Sequence, residues 1–108
     1  MSFTVRFTHG ARDDLRAIHA YIAENGSQEK ADYVAREIAR AVLALRTAPN
    51  RGSHPPELLS RGNRSYRQVV FKPYRILYRV RGKTVFVGVI ADGRREMTSL
   101  LARRLGSN

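Results

Sequence analysis

The sequence predicts an α+β fold of order β-α-α-β-β-β-α: an antiparallel helical hairpin packed on one face of a twisted antiparallel sheet, with a short C-terminal helix. Three observations carry that reading. Apolar residues recur at helical spacing over residues 11–45, interrupted once at Asn25-Gly26. Residues 65–95, SYRQVVFKPYRILYRVRGKTVFVGVIADGRR, form three alternating runs rich in Val, Ile, Tyr and Phe, residues that favour a pleated, half-buried surface. Within them Tyr-Arg occurs three times, at Tyr66-Arg67, Tyr74-Arg75 and Tyr78-Arg79.

Taken in order, Phe3, Val5 and Phe7 alternate with Thr4, Arg6 and Thr8, which makes a short first strand with one apolar face. Thr8 suits an N-cap, and Asp13 and Asp14 sit near the positive end of the helix that follows. Ala11, Leu15, Ile18 and Ile22 give that helix, about 9–24, one apolar stripe. Asn25-Gly26 stops it and Ser27 caps a second, longer helix, about 27–47, with Ala31, Val34, Ile38, Val42 and Leu45 on its buried face. Pro49 ends it. Residues 49–64 read as an irregular connector, with Leu58-Leu59 tucked beneath it. His54 and Glu57 lie there and have the chemistry of an acid/base pair, but a lone His and a lone Glu in a loop are most often structural. Met97, Leu100, Leu101 and Leu105 mark the last helix, closed by Gly106.

The strands are expected at about 66–71, 75–81 and 84–91, with Gly82-Lys83 as a tight two-residue hairpin. Pairing Arg81 with Thr84 sets Arg79 opposite Phe86, Leu77 opposite Gly88 and Arg75 opposite Ile90. Ile76, Tyr78 and Val80 then face the core with Val85, Val87 and Val89. A two-residue Lys72-Pro73 turn puts proline in the second central position, where it forces its neighbour out of the usual geometry. A three-residue loop, Lys72 to Tyr74, avoids this and gathers Arg67, Arg75 and Arg79 on one outward face. A one-residue slip sends Arg67 to the core side, where an unpaired guanidinium is costly.

The 108 residues are expected to form one domain, 1–108. Net charge is +11, and arginine supplies 17 of the 20 basic residues. Residues 1–50 carry 7 basic and 6 acidic side chains, residues 51–108 carry 13 and 3, so almost the whole field belongs to the second half. Such a field attracts a polyanion, and arginine beside Tyr and Phe suits nucleic acid through phosphate contacts and stacking. An acidic partner protein explains it equally well. With no cysteine, disulfide and thiolate chemistry are excluded. The three histidines lack metal-ligand spacing, so no metal and no cofactor is expected. No run approaches membrane-spanning length and none resembles a signal peptide, so the expected location is cytoplasmic, without membrane contact.

In the order of its elements, and in YRILYRV followed by VIADGRRE, the chain resembles the RelE/ParE superfamily of bacterial type II toxin–antitoxin toxins. The likeness runs from DLRAIHAYI through RTAPNRG to LLARRL. It implies a toxin neutralised by a cognate acidic antitoxin, with operator DNA engaged only through that antitoxin. ParE-like members poison DNA gyrase; RelE-like members cleave mRNA on the ribosome. Against the nuclease pattern, Arg75 and Arg95 match family arginines and Arg67 replaces a lysine. Val69 stands at a second lysine position, Leu101 at that of a base-stacking tyrosine, and Ala91-Asp92 where a variant His-Tyr ending falls. The resemblance therefore favours a ParE-like gyrase inhibitor, with Arg67, Arg75, Arg79, Arg94 and Arg95 as candidate target or nucleic-acid contacts. A ribosome-dependent endonuclease using Arg67, Arg75 and Arg95 is the alternative, and a non-toxic basic interaction module a third.

Overall fold

A computed structural model describes residues 2–106. Strand β1 (Thr4–Phe7) leads to helices α1 (His9–Asn25) and α2 (Gln28–Leu43). A short helix α3 (Pro56–Leu59) precedes strands β2 (Arg67–Phe71), β3 (Tyr74–Arg81) and β4 (Thr84–Asp92), and α4 (Met97–Leu105) ends the fold. The predicted architecture is present. The sheet runs β1-β4-β3-β2 and is antiparallel as expected apart from one edge, where the β1–β4 pair is parallel. The long helical excursion between β1 and β4 allows that parallel return, which no hairpin could make.

The caps follow the sequence. Thr8 Oγ1 accepts from the Ala11 amide at 3.1 Å, and Ser27 Oγ accepts from the Lys30 amide at 3.0 Å. The second helix is shorter than the predicted 27–47: it ends at Leu43 and tightens into a 3-10 turn, Ala44–Arg46. That turn brings the Arg46 carbonyl to the Phe3 amide, at 2.8 Å, and so ties the hairpin to β1. The hairpin covers the inner face of the sheet. Its core joins Ala31, Ile38, Val42 and Leu45 to Ile76, Tyr78, Val85, Val87 and Ile90.

Two register expectations are overturned. A β-bulge at Gly88 shifts the β3–β4 pairing, so Leu77 lies opposite Val89 and Arg75 opposite Ala91. Side chains past the bulge change sides: Ile90 joins the inner core, while Val89 and Ala91 turn outward. There they meet Leu58 of α3, Leu77, and Met97, Leu100 and Leu101 of α4 in a second core on the outer face. The β2–β3 turn is the two-residue Lys72-Pro73, its peptide bond cis, the arrangement in which proline occupies the second central position. Arg67 therefore pairs with Tyr78 on the inner side, away from Arg75 and Arg79.

Arg67 escapes the penalty of an unpaired charge because its Nη1 donates to the Gly52 carbonyl at 2.8 Å. Next to it the fully buried Tyr78 hydroxyl donates to the Pro49 carbonyl at 2.7 Å and accepts from the Gly52 amide at 3.1 Å. The connector is thus fastened to the sheet by these polar bonds, by the backbone bridge of Ser53 to Gln68, and by the close fit at Gly52. A Cβ at Gly52 would lie 2.6 Å from the Gln68 carbonyl oxygen and 2.7 Å from Tyr78 Oη, closer than any packing permits. Gly52→Ala is expected to destabilise the fold by about 2 kcal/mol through overpacking. Tyr78→Phe, which strands two backbone groups, should cost about 1–3 kcal/mol. Urea denaturation of both variants measures these losses, and wild-type midpoints would refute the fastening role.

Candidate functional site

Basic residues on the outer face of the sheet fall into two groups, one on each side of the second core. At the β2 end Arg75 is locked. Its Nη1 and Nη2 donate to the two carboxylate oxygens of Glu57 at 2.8 and 2.7 Å, and its Nε donates to Gln68 Oε1 at 2.7 Å. Only 13% of the Arg75 side chain and 23% of Glu57 is exposed, so this bidentate pair is shielded from solvent. Glu57 stands there because Pro55 and Pro56 start the one-turn helix α3, whose Leu58 anchors it in the outer core. Gly93 completes the seat: a Cβ there would come within 2.9 Å of Arg75 Cδ. The Arg75 hydrogen bonds hold the Glu57 carboxyl below its ordinary range against the opposing effect of partial burial.

The other group is open. Arg6 of β1 and Arg79 of β3 both lie beside Phe86 of β4, and Arg81 lies beside Thr84 one step further along. The Arg79 guanidinium sits over the Tyr66 ring, 5.6 Å from its centroid. Arg6 and Arg81 are exposed, and Phe86, Arg79 and Tyr66 are half-buried. Thr8, Tyr66, Arg79, Arg81, Phe86 and Gly88 line a cleft of about 400 Å³.

Of the residues singled out from sequence, the structure therefore places Arg75 and Arg79 on one face and Arg67 on the other. Arg94 and Arg95 stand exposed at the corner between β4 and α4, bordering a cleft with Asp14, Tyr21 and Tyr74. Arg94 is paired with Asp92, whose carboxyl it holds below the ordinary range. Val69 packs against the inner core, and Leu101 is completely buried in the outer one. His54 and Glu57 do not pair: His54 Nδ1 lies 3.0 Å from the Tyr66 carbonyl oxygen, whereas Glu57 is held by Arg75. Sequence reasoning missed Arg6, Arg81 and Phe86. The signal was present, since Arg6 falls on the polar side of the first strand, but it points to Phe86 only once β1 is paired with β4.

The fold is similar to that of solved bacterial toxins. A chain of the chromosomal ParDE toxin–antitoxin system from P. aeruginosa superposes with a TM-score of 0.70 at 24% identity, covering 84% of this chain and 96% of that one. A chain of the RelBE2 toxin–antitoxin complex from Mycobacterium tuberculosis gives 0.61 at 21% identity, covering 85% and 92%. A mutant of the E. coli toxin RelE in the free state gives 0.63 at 16% identity, covering 97% and 96%. No protein with a curated description matches the sequence. Helical hairpin, four-stranded sheet and terminal helix are thus the fold this chain shares with those toxins. The family model of the ParE toxin of type II toxin–antitoxin systems, parDE, matches residues 5–97, and the chain belongs to that family.

The Glu57–Arg75 pair carries a pH signature. Because folding lowers the Glu57 pKa, its contribution to stability is complete above the unfolded value of about 4.3 and is lost as pH falls through the folded value. Thermal unfolding followed from pH 7 to pH 3 should therefore show a stability loss below about pH 4.3. Glu57→Gln should unfold at lower temperature at pH 7 and lose part of that acid slope. An unchanged slope in the variant would show the pair to be without energetic weight.

Proposed function

We propose that this chain is the toxin of a type II toxin–antitoxin module that arrests growth by binding DNA gyrase, held inactive by an acidic cognate antitoxin. Membership of the ParE family supports the toxin role. What favours binding over RNA cleavage is one observation: the arginines a nuclease would need do not converge. Arg75 is tied to Glu57 and Gln68, and Arg67, on the inner side of the sheet, donates to the Gly52 carbonyl. Leu101 is completely buried where a base-stacking ring would have to be exposed. Cleavage through the 2′-hydroxyl needs a base and an acid, and arginine stays protonated near neutral pH.

The antitoxin reading draws on a different surface. Tyr21, Tyr33, Leu43 and Val70 are 68%, 49%, 56% and 52% exposed on the helical hairpin and the β2 edge. Beside them a groove of about 580 Å³ runs between α2 and β2, lined by Arg40, Ala41, Arg51, Val70 and Phe71 among others. An amphipathic, acidic segment laid along it would cover Val70 and Phe71 and meet Arg51, and would compete with Glu37, 3.5 Å from Arg40, for the second guanidinium.

Among the described residues no helix is long and apolar enough to cross a membrane. The reading rests on a cytoplasmic target, and the purified protein tests it directly. Added to DNA gyrase, it should inhibit supercoiling of relaxed plasmid, and the antitoxin should reverse the effect. Added to programmed ribosomes, it should leave the message intact. Message cleavage with supercoiling untouched would overturn the proposal in favour of the endonuclease, and inactivity in both assays would leave an interaction module.

A further inference from the structure

We propose that the open half of the outer sheet face is a docking site for a single strand of DNA. The register builds it as a row across three strands, Arg6, Phe86 and Arg79, with Arg81 one step along β3. Adjacent strands lie about 4.8 Å apart, so the two guanidinium-bearing positions flank Phe86 at about 10 Å. Arg79 and Arg81 are two residues apart along β3, about 7 Å, a spacing comparable to that of successive phosphates on an extended strand. The Tyr66–Phe86 cleft opens between these positions.

Charge and apolar surface both call for a ligand. Among the described residues no carboxylate forms an ion pair with Arg6, Arg79 or Arg81, whereas Arg75 on the same face is fully engaged with Glu57. Three like charges gathered on one face, two on β3 and one across β4 on β1, repel one another until an anion lies across them. The Arg79 guanidinium carbon is held over the Tyr66 ring, 5.6 Å from its centroid, a cation–π contact that does not use the N–H donors a phosphate would need. Phe86, half-buried, belongs to neither hydrophobic core.

Those rings select among anions. A purely acidic peptide would satisfy the guanidinium groups and leave Phe86 without a partner, and the amphipathic acidic segment of the antitoxin has the α2–β2 groove as its seat. A duplex keeps its bases stacked on each other, whereas a single strand offers base faces to the ring and phosphates to the arginines. The preference for DNA over RNA rests on the gyrase reading; the site itself does not. This platform is separated by the outer core from Arg75 and Arg95, the positions on which the endonuclease alternative depends.

The test is fluorescence anisotropy of the purified chain with a labelled oligothymidylate across a salt series, with no gyrase present, so that failure of either reading leaves the other measurable. Arg79→Ala with Arg81→Ala should weaken binding about tenfold and reduce the slope of log affinity against log salt by about 1.4. Arg36→Ala with Arg103→Ala, which removes the same charge from exposed positions elsewhere, should preserve the slope. Phe86→Leu should weaken the single strand several-fold, leave the slope unchanged and leave duplex binding unaltered. Circular dichroism and melting of each variant verify folding, and Arg6→Ala, on the edge strand, repeats the charge test if the double variant fails to fold. Equal losses in the two double variants would overturn the proposal, as would duplex or RNA binding tighter than single-stranded DNA. Displacement by polyglutamate as effective as by oligonucleotide would instead make the face a docking surface for an acidic protein.

Discussion

The bulge at Gly88 is the constraint on which the rest of the structure depends. One extra residue in β4 reverses which side its later side chains face, and a single strand thereby feeds two cores: Val85, Val87 and Ile90 on one side, Val89 and Ala91 on the other. It also withdraws the Gly88 carbonyl and the Ile90 amide from the ladder. Asp14 of α1 accepts from the Ile90 amide at 2.9 Å and from Arg104 Nη1 at 2.8 Å, while Arg104 Nη2 donates to the Gly88 carbonyl at 3.0 Å. The irregularity thus becomes the junction of the first helix, the last strand and the last helix. Buried backbone groups demand partners, and here two charged side chains supply them.

Because the outer core covers only part of the outer face, it sorts the arginines. Those beside it acquire carboxylates and become structural, as Arg75 does with Glu57 and Arg104 with Asp14. Those beyond it, Arg6, Arg79 and Arg81, stay on bare sheet next to aromatic rings. The bulk of α4 is held by apolar burial, since Leu100 and Leu101 each contribute about 2 kcal/mol, more than a partly exposed ion pair returns. An arginine count read from sequence therefore overstates the charge available to a partner, and the topology decides which groups remain free.

Most of the fold was legible in the sequence because it rests on periodicity and caps. The stripe from Ala11 to Ile22, the Thr8 and Ser27 caps and the Gly82-Lys83 turn all appear where the pattern put them. Register was legible only up to the first irregularity. From Arg81 and Thr84 back to Arg79 and Phe86 the pairing is as expected; past Gly88 it is displaced, because in an apolar run such as VGVIA every residue suits either face. The helix α3 was hidden in a proline-rich stretch, and with it the identity of Glu57 as the partner of Arg75. Arg67 was misplaced for a related reason: the cost of turning it inward is cancelled by a carbonyl, Gly52, that sequence spacing does not reveal.

The Asp14–Arg104 bridge joins positions 90 residues apart, and β1 finds its strand partner only in residues 84–87. Such long loops must close before they are rewarded, so the earliest segments of this polypeptide wait on the latest. During synthesis β1 can be tied to the hairpin through Arg46, but it leaves the ribosome without its strand partner, and Asp14 without Arg104. The complete sheet, and with it the open arginine face, belongs only to a chain whose β4 has already emerged.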